Sequence, residues 1–411
     1  MIVGGGSGGH ITPAIAVVRE LLQLKPRLRV EFWTDRKYYK NVVKTTTELG
    51  VKWGDETHYS NAKPYIRVRK VMSGKFHRYA GWNWRDYFIN WQITIKDLIV
   101  GNIVGLCGFI GGMISSFFRL FSKKNRPDAM FLKGGFVCLP VGVIAKIFKI
   151  PYVIHESDAV PGLANRLLMK KATVVCTGLS LEDEQSKMIF TGTPVAPEFH
   201  PMGTIKQKSL KKTLGFDENK PLLMITGGSQ GSKHINEAVR EILPELLQFT
   251  SVGLIAGRER YEEMVDLKKY EQWDNAHLQS NFRLWEFSTT MDELMGAADV
   301  VVSRAGATTI AELAALKKAV VLVPFESLPG GHQVKNAKRL EKLGAVVSVL
   351  DSKMVEHPDV LLQAVKTTIK SPKKQEKLAD NLHKQAKPDA ALHLAKIVLD
   401  VASGKEVAEI K

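Results

Sequence analysis

The 411-residue sequence predicts an α/β protein of two doubly wound domains. Two observations carry that expectation. A glycine-rich loop set between an apolar run and a helical pattern occurs twice, as GGGSGGH at 4–10 and GGSQGS at 227–232, and strand-like and helix-like patterns alternate around each copy. Alternation of this kind winds helices over a parallel sheet. In the first half, short buried strands are expected at 29–34, 129–132, 152–155 and 173–176; in the second half, at 222–226, 253–256, 300–303 and 320–324. The first loop follows Ile2 and Val3 and leads to a helix for which Thr12 is the expected N-cap and Pro13 the first helical residue. The second leads into a helix near His234. Glycines let backbone approach a phosphate closely and a helix start offers free N–H groups, so each loop is expected to meet an anion. Between the halves, Pro194, Pro197, Pro201 and a lysine run read as a connection. The expected division is a domain at 1–195, a linker at 196–220, a domain at 221–390 and a C-terminal helix or tail at 391–411.

Hydrophobic content of 45% and charged content of 24% are those of a folded chain. Cys107, Cys138 and Cys176 are odd in number and widely spaced, which fits neither a disulfide framework nor a zinc site. The first residues run straight into the glycine loop without the pattern of a secretory signal, so a cytoplasmic location is expected. A net charge of +16 asks for an anionic partner or a solvated basic surface. The lysine runs are not interleaved with aromatics, so no nucleic acid is expected.

One segment departs from the α/β pattern. Residues 98–118 contain no charged side chain and follow a stretch with Trp82, Trp84, Tyr87, Phe88 and Trp91. Three readings stand: a membrane-dipping or interfacial segment, a buried core helix, or a transmembrane span. Five glycines, Asn102 and the immediate return of the α/β pattern after Pro127 weigh against the span.

The loop Gly4-x-Gly6-x-x-Gly9 by itself fits the dinucleotide fingerprint, with Asp35 as a ribose-binding acid, which keeps a nicotinamide-dependent (NAD(P)) oxidoreductase as one alternative. A third motif, SRAGATTIAEL at 303–313, again joins a strand to a helix. It places Gly306, Ala307 and Thr308 at a helix start and Glu312 about one turn in, where a carboxylate can take both ribose hydroxyls while the amides face a diphosphate. Downstream, His332, Gln333 and Asn336 bring polar side chains to the start of another helix.

Together, Gly5–His10 with Pro13, Lys133-Gly-Gly-Phe-Val137 with Pro140, His155-Glu156 with Gly162, Leu163 and Asn165, Gly192-x-Pro194-Val195, Gly227–Gly231, the 303–312 motif, and Pro324-Phe325 with His332-Gln333 and Asn336-Ala337 resemble the MurG-type glycosyltransferases of peptidoglycan synthesis. The resemblance implies the GT-B fold, two Rossmann-like domains facing across a cleft, and inverting transfer of N-acetylglucosamine from UDP-N-acetylglucosamine to lipid I, giving lipid II. It implies a peripheral enzyme on the cytoplasmic face of the membrane, with the anionic inner surface and other cell-wall synthesis proteins among its partners. No cofactor and no metal are expected, and no Asp-x-Asp pair occurs in the chain. On the donor side it implies Ser229 at the diphosphate, Ser288 at uracil, Ala307, Thr308, Thr309, Ile310, Ala311 and Glu312 at ribose and diphosphate, and Gln333 on the sugar. On the acceptor side it implies Ser7, Gly8 and Gly9 at the lipid diphosphate, with His10, His155 and Glu156 nearby, while Asp158 falls where an asparagine usually contacts the donor sugar. His10 is the expected general base and Glu156 the runner-up. Ser7, Asp158 and Ala196 stand where the family usually carries threonine, asparagine and arginine, so a non-catalytic nucleotide-sugar-binding scaffold remains a further alternative.

Overall fold

Uninterrupted apolar runs become fully buried strands, because a parallel sheet wound with helices leaves neither face to water. The computed structural model describes residues 1–48, 65–74, 76, 98–179, 188–228, 230–269, 281–327 and 329–406. These form two units, Met1–Ala196 with Lys387–Lys411, and Pro197–Ala386.

The N-terminal unit holds a parallel sheet of β1 (Ile2–Gly4), β2 (Arg29–Thr34), β3 (Tyr65–Lys70), β4 (Met130–Gly134), β5 (Tyr152–Glu156), β6 (Val174–Thr177) and β7 (Met188–Phe190), in the order β3-β2-β1-β4-β5-β6-β7. The C-terminal unit holds β8 (Leu222–Thr226), β9 (Ser251–Ile255), β10 (Phe282–Trp285), β11 (Val300–Ser303), β12 (Ala319–Leu322) and β13 (Val347–Ser348), in the order β10-β9-β8-β11-β12-β13. In both, the winding reverses beside the first strand, between β1 and β4 and between β8 and β11. Such reversals open a crevice at the strand C-termini, and there the glycine loops emerge. Every expected strand forms. The strands β3, β7, β10 and β13 are additions.

Three expectations change. The first helix spans Gly8–Leu24 with Ser7 as its N-cap, so Thr12 and Pro13 lie inside it. The glycine loop turns directly into helix, and its first amides, not those after Thr12, face outward. The stretch 196–220 is no open linker: it carries the Thr204–Thr213 helix, whose Gln207 and Lys211 bond Asp299 before β11 at 3.1 and 2.6 Å. The C-terminal helix Ala390–Ala402 returns to the first unit, where Leu394, Ile397, Val398 and Val401 join the core with the Gly8–Leu24 helix.

The 98–118 segment belongs to a helix, Gly101–Phe121, and only 11% of its apolar window is buried, which removes the core-helix reading. Gly105, Gly112, Ser116 and Leu120 face the unit. A Cβ at Gly112 would stand 2.1 Å from the Met72 carbonyl oxygen, so only glycine permits this approach. Arg119 pairs with Glu31 of β2 at 2.7 Å, fixing the helix end to the sheet. The opposite face presents Ile103, Val104, Ile110, Ile114 and Phe118 to solvent. The aromatic lead-in from Trp82 to Trp91 lies outside the described residues.

Candidate active site

In the N-terminal unit the loop after β1 is closed by Asp35, at the end of β2. Its carboxylate accepts the amides of Gly6 at 2.7 Å, Lys37 at 2.8 Å and Tyr38 at 3.1 Å. That engagement spends the acid which the dinucleotide reading reserved for a ribose. Against this loop lies the turn after β4. A Cβ at Gly135, whose φ is +82°, would meet the Gly5 carbonyl oxygen at 2.4 Å and His10 Nδ1 at 3.1 Å. Two glycine turns therefore interlock around one imidazole. Above them Gly8 is open, with nothing within 4 Å of where a side chain would begin.

His10 is held by Ser7, whose Oγ lies 2.9 Å from Nδ1. Burial, then the nearby Lys133 cation, push its pKa down to about 4, so the ring is neutral at physiological pH. A histidine serves as a base near neutral pH without tuning; here the fold depresses it strongly. Lys133 itself, on β4, is buried and donates to Ser157 Oγ at 2.8 Å. Burial lowers its pKa to about 8 against the opposing pull of Glu156 and Asp158. Its importance was missed from sequence, although a lysine closing the apolar run Met-Phe-Leu before a diglycine was the visible signal.

His155 and Glu156 are placed differently from expectation. His155 is fully buried; its ring lies 2.8 Å from the Gly192 carbonyl through Nε2, and burial holds its pKa well below the usual value. It fastens β5 to the segment after β7 and offers no surface to a ligand. Glu156 accepts the Asp158 amide at 3.0 Å, the Gly162 amide at 2.9 Å and Asn165 Nδ2 at 2.9 Å. Burial first, then the Asp158 charge, raise its pKa. The runner-up base is thus the brace of the 157–162 loop, which carries the half-exposed Asp158.

In the C-terminal unit three loops converge at the ends of β8, β11 and β12. Arg304 ties them: it donates to the Val323 carbonyl at 3.1 Å and to Ser232 Oγ at 2.5 Å, pairs with Asp351, and lies 5.1 Å over the Phe325 ring. His234 reaches the other oxygen of Asp351 at 2.6 Å. Asn336 braces the same place by donating to the Ala305 carbonyl at 3.1 Å. Sequence reasoning quoted Arg304 within its motif but gave it no role.

Beside this brace the helix Ala307–Ala315 begins after Gly306, with Ala307, Thr308 and Thr309 half-exposed and Ile310 turned into the core. Ala311 is half-buried and Glu312 follows it. Burial raises the Glu312 pKa to about 8, and among the described residues its carboxyl has no hydrogen-bond partner. Gln333 Oε1 accepts the Phe325 amide at 2.9 Å, orienting the loop after β12. Ser288, after β10, bonds Thr290 Oγ1 at 3.1 Å in a local turn. Ser229 lies outside the described residues.

Residues 90–177 match the glycosyltransferase family 28 N-terminal domain and residues 222–394 the family 28 C-terminal domain. The UDP-N-acetylglucosamine–N-acetylmuramyl-(pentapeptide) pyrophosphoryl-undecaprenol N-acetylglucosamine transferase of Clostridium perfringens (strain SM101 / Type A) is 34% identical over 381 residues, 91% of each chain. The transferase of the same name from Thermoanaerobacter sp. (strain X514) is 29% identical over 407 residues, 98% of this chain and 99% of the relative. The crystal structure of Acinetobacter baumannii MurG shares the fold with a TM-score of 0.68 at 24% identity, covering 97% of this chain and 98% of that one. The protein therefore belongs to glycosyltransferase family 28, among the MurG-type N-acetylglucosamine transferases.

Proposed function

We infer that the protein moves N-acetylglucosamine from UDP-N-acetylglucosamine to lipid I, with inversion, giving lipid II for peptidoglycan. The observation that carries this reading is Glu312: a half-buried carboxyl with no protein hydrogen-bond partner among the described residues, beside an open helix start, is complementary to the two hydroxyls of a ribose whose diphosphate meets the amides. The C-terminal unit takes the donor, with Ala307, Thr308 and the 227–232 loop at the diphosphate, Ser288 near uracil and Gln333 near the sugar. The N-terminal unit takes the acceptor at Ser7, Gly8 and Gly9.

In the reaction the acceptor hydroxyl gives its proton to His10 as its oxygen attacks the anomeric carbon and the bond to UDP breaks. In the tautomer in which Nδ1–H donates to Ser7 Oγ, Nε2 is the basic nitrogen that takes the proton. Charge growing on the leaving diphosphate is met by preorganised amides at the Ala307–Ala315 helix start. Turnover of UDP-N-acetylglucosamine with a lipid I analogue in EDTA tests the reading. Activity is expected to persist; loss of turnover that magnesium restores would overturn the amide-based account.

Donor binding carries a pH signature. Ribose hydroxyls donate to an ionised carboxylate, and Glu312 ionises only as pH rises through about 8. Binding of UDP-N-acetylglucosamine therefore releases a proton below that value, and affinity is expected to rise about fivefold between pH 7 and pH 8. Calorimetry in two buffers of different ionisation enthalpy measures the proton directly. Glu312→Gln should bind more weakly and without proton release; a pH-independent wild-type affinity would remove Glu312 from the ribose.

The same reading lays the Gly101–Phe121 helix on the inner leaflet, because an acceptor with a polyprenyl tail stays at the bilayer. Phe118 is 73% exposed, whereas Phe117 stacks on Phe148 with centroids 5.3 Å apart. Insertion is thus carried by Ile110, Ile114 and Phe118, with Lys123 and Lys124 exposed at the helix end. Arg126 is committed to the helix terminus, donating to the Leu120 carbonyl at 2.9 Å. The wild type should sediment with anionic vesicles, less strongly as salt rises, and Ile110→Asp/Phe118→Asp should stay in the supernatant while remaining folded. A wild type that stays soluble with such vesicles overturns the membrane reading.

A further inference from the structure

We propose that a cavity between the β2–β3 edge of the N-terminal sheet and the Gly101–Phe121 helix is a binding site for a phosphate-bearing ligand. The cavity measures about 420 Å³, and Trp33, Tyr39, Arg67, Arg69, Lys70 and Arg119 are among its walls. That volume lies within the range of small-molecule pockets. It has room for a phosphate ester with its glycerol or a comparable polar stub.

The charge of the walls selects an anion. Four cations line the cavity, and the carboxylate beside them, Glu31, is already shared. It accepts Arg119 Nη2 at 2.7 Å and Trp33 Nε1 at 2.9 Å, and Arg69 Nε stands 3.5 Å away. Lys70 lies over the Tyr39 ring at 4.5 Å. After these contacts, Arg69 Nη2 and Arg119 Nε have no hydrogen-bond acceptor among the described residues and are closed to solvent, so a small shift of either guanidinium is needed to present them to a ligand in the cavity. Buried guanidinium N–H groups left unmet are costly, and tetrahedral oxyanions supply acceptors in the geometry that the planar fork matches. Trp33 is 2% exposed, so its ring cannot serve as a platform for a base, and the recognition is of phosphate alone.

Two sources carry that chemistry: the headgroup of an anionic phospholipid and a soluble phosphate ester. The cavity lies beneath the helix whose outer face is apolar, so the first source rests on the membrane reading and the second does not. His10 and the glycine loop are absent from its walls, which keeps it separate from the transfer chemistry.

The test uses full-length protein in saturating UDP, so that the donor phosphate site is filled. Thermal stability is followed against sn-glycerol 3-phosphate, inorganic phosphate and monomeric dihexanoylphosphatidylglycerol, with dihexanoylphosphatidylcholine and sodium chloride at matched ionic strength as controls. A saturable stabilisation by the phosphate compounds is expected. Arg69→Gln should weaken it by about tenfold or more. Lys70→Gln, a change at an exposed position, should weaken it several-fold with turnover unchanged, which preserves the test if Arg69→Gln fails to fold. Tighter binding of the phosphatidylglycerol assigns the headgroup; equal binding of glycerol 3-phosphate assigns the soluble ester. No saturable effect beyond the salt control, or binding unchanged in both variants, overturns the site. Vesicle sedimentation without pocket binding would sink this inference and leave the membrane reading standing; pocket binding without sedimentation would do the reverse.

Discussion

His10→Ala is expected to lower kcat by about 10²–10⁴ while leaving donor affinity nearly unchanged, the signature of a lost general base. The ring bonds Ser7 and the Gly5 backbone, so alanine removes the proton acceptor together with contacts of the loop, and the urea midpoint of the variant is read beside kcat to separate the two effects. With a folded pKa of about 4, the neutral form is present throughout the physiological range, and the acid limb of kcat/KM should lie well below the pH 6.5 of an ordinary histidine. Lys133 contributes part of that depression. Its replacement by methionine removes a cation, so the His10 pKa should rise and the acid limb move to higher pH. Stability obeys the same sign: the unfolded chain takes up the His10 proton first as pH falls below 6.5, so the fold loses stability from there down through about 4. An alanine variant that keeps more than about a tenth of its turnover would pass the proton to water or to another group.

Glu156→Ala should cost about 3–5 kcal/mol of folding stability, read as a shift in the urea midpoint, because it strands three donors that now share one carboxylate. Removing a single hydrogen bond would cost far less; removing the common acceptor of Asp158, Gly162 and Asn165 releases the loop between them. Glu156→Gln keeps one acceptor oxygen but sets an amide against a backbone N–H, so it should lose roughly half as much. The decisive comparison is the glutamine variant in its folded state, where a brace predicts retained turnover. A well-folded glutamine variant with kcat reduced by about 10² or more would make Glu156 the base in addition to its bracing of the loop.

The strands legible from sequence are those whose apolar runs are bounded by glycine or proline, as β4 is by Pro127 and by Gly134 and Gly135. The edge strand β3, Tyr-Ile-Arg-Val-Arg-Lys, hid behind its alternating arginines, which face a polar cavity instead of a helix core. At two and three residues, β13 and β7 are too short to show any period. The helix start at Gly8 was obscured because glycine and histidine are poor helix formers, and the tertiary hold of Asp35 and Gly135 overrides their propensity. Within the site, the glycine loops and the Glu312 motif were readable because helix starts and strand ends have local signatures. The roles of His155 and Glu156 were not. Gly192 lies 37 residues from the histidine it contacts, and no spacing rule reaches across that distance.

The Arg304 brace bears on re-targeting the donor by exchanging loops. Ser232, Arg304, Phe325 and Asp351 come from four separate stretches of sequence, yet their contacts meet on one guanidinium. A graft that imports a foreign glycine loop without serine at position 232 leaves that guanidinium short of an acceptor, and one that replaces the segment around Asp351 leaves a buried cation without its counter-charge. Single transplants should therefore fail far more often than the sum of their parts implies, and the smallest exchangeable cassette is the quartet moved together.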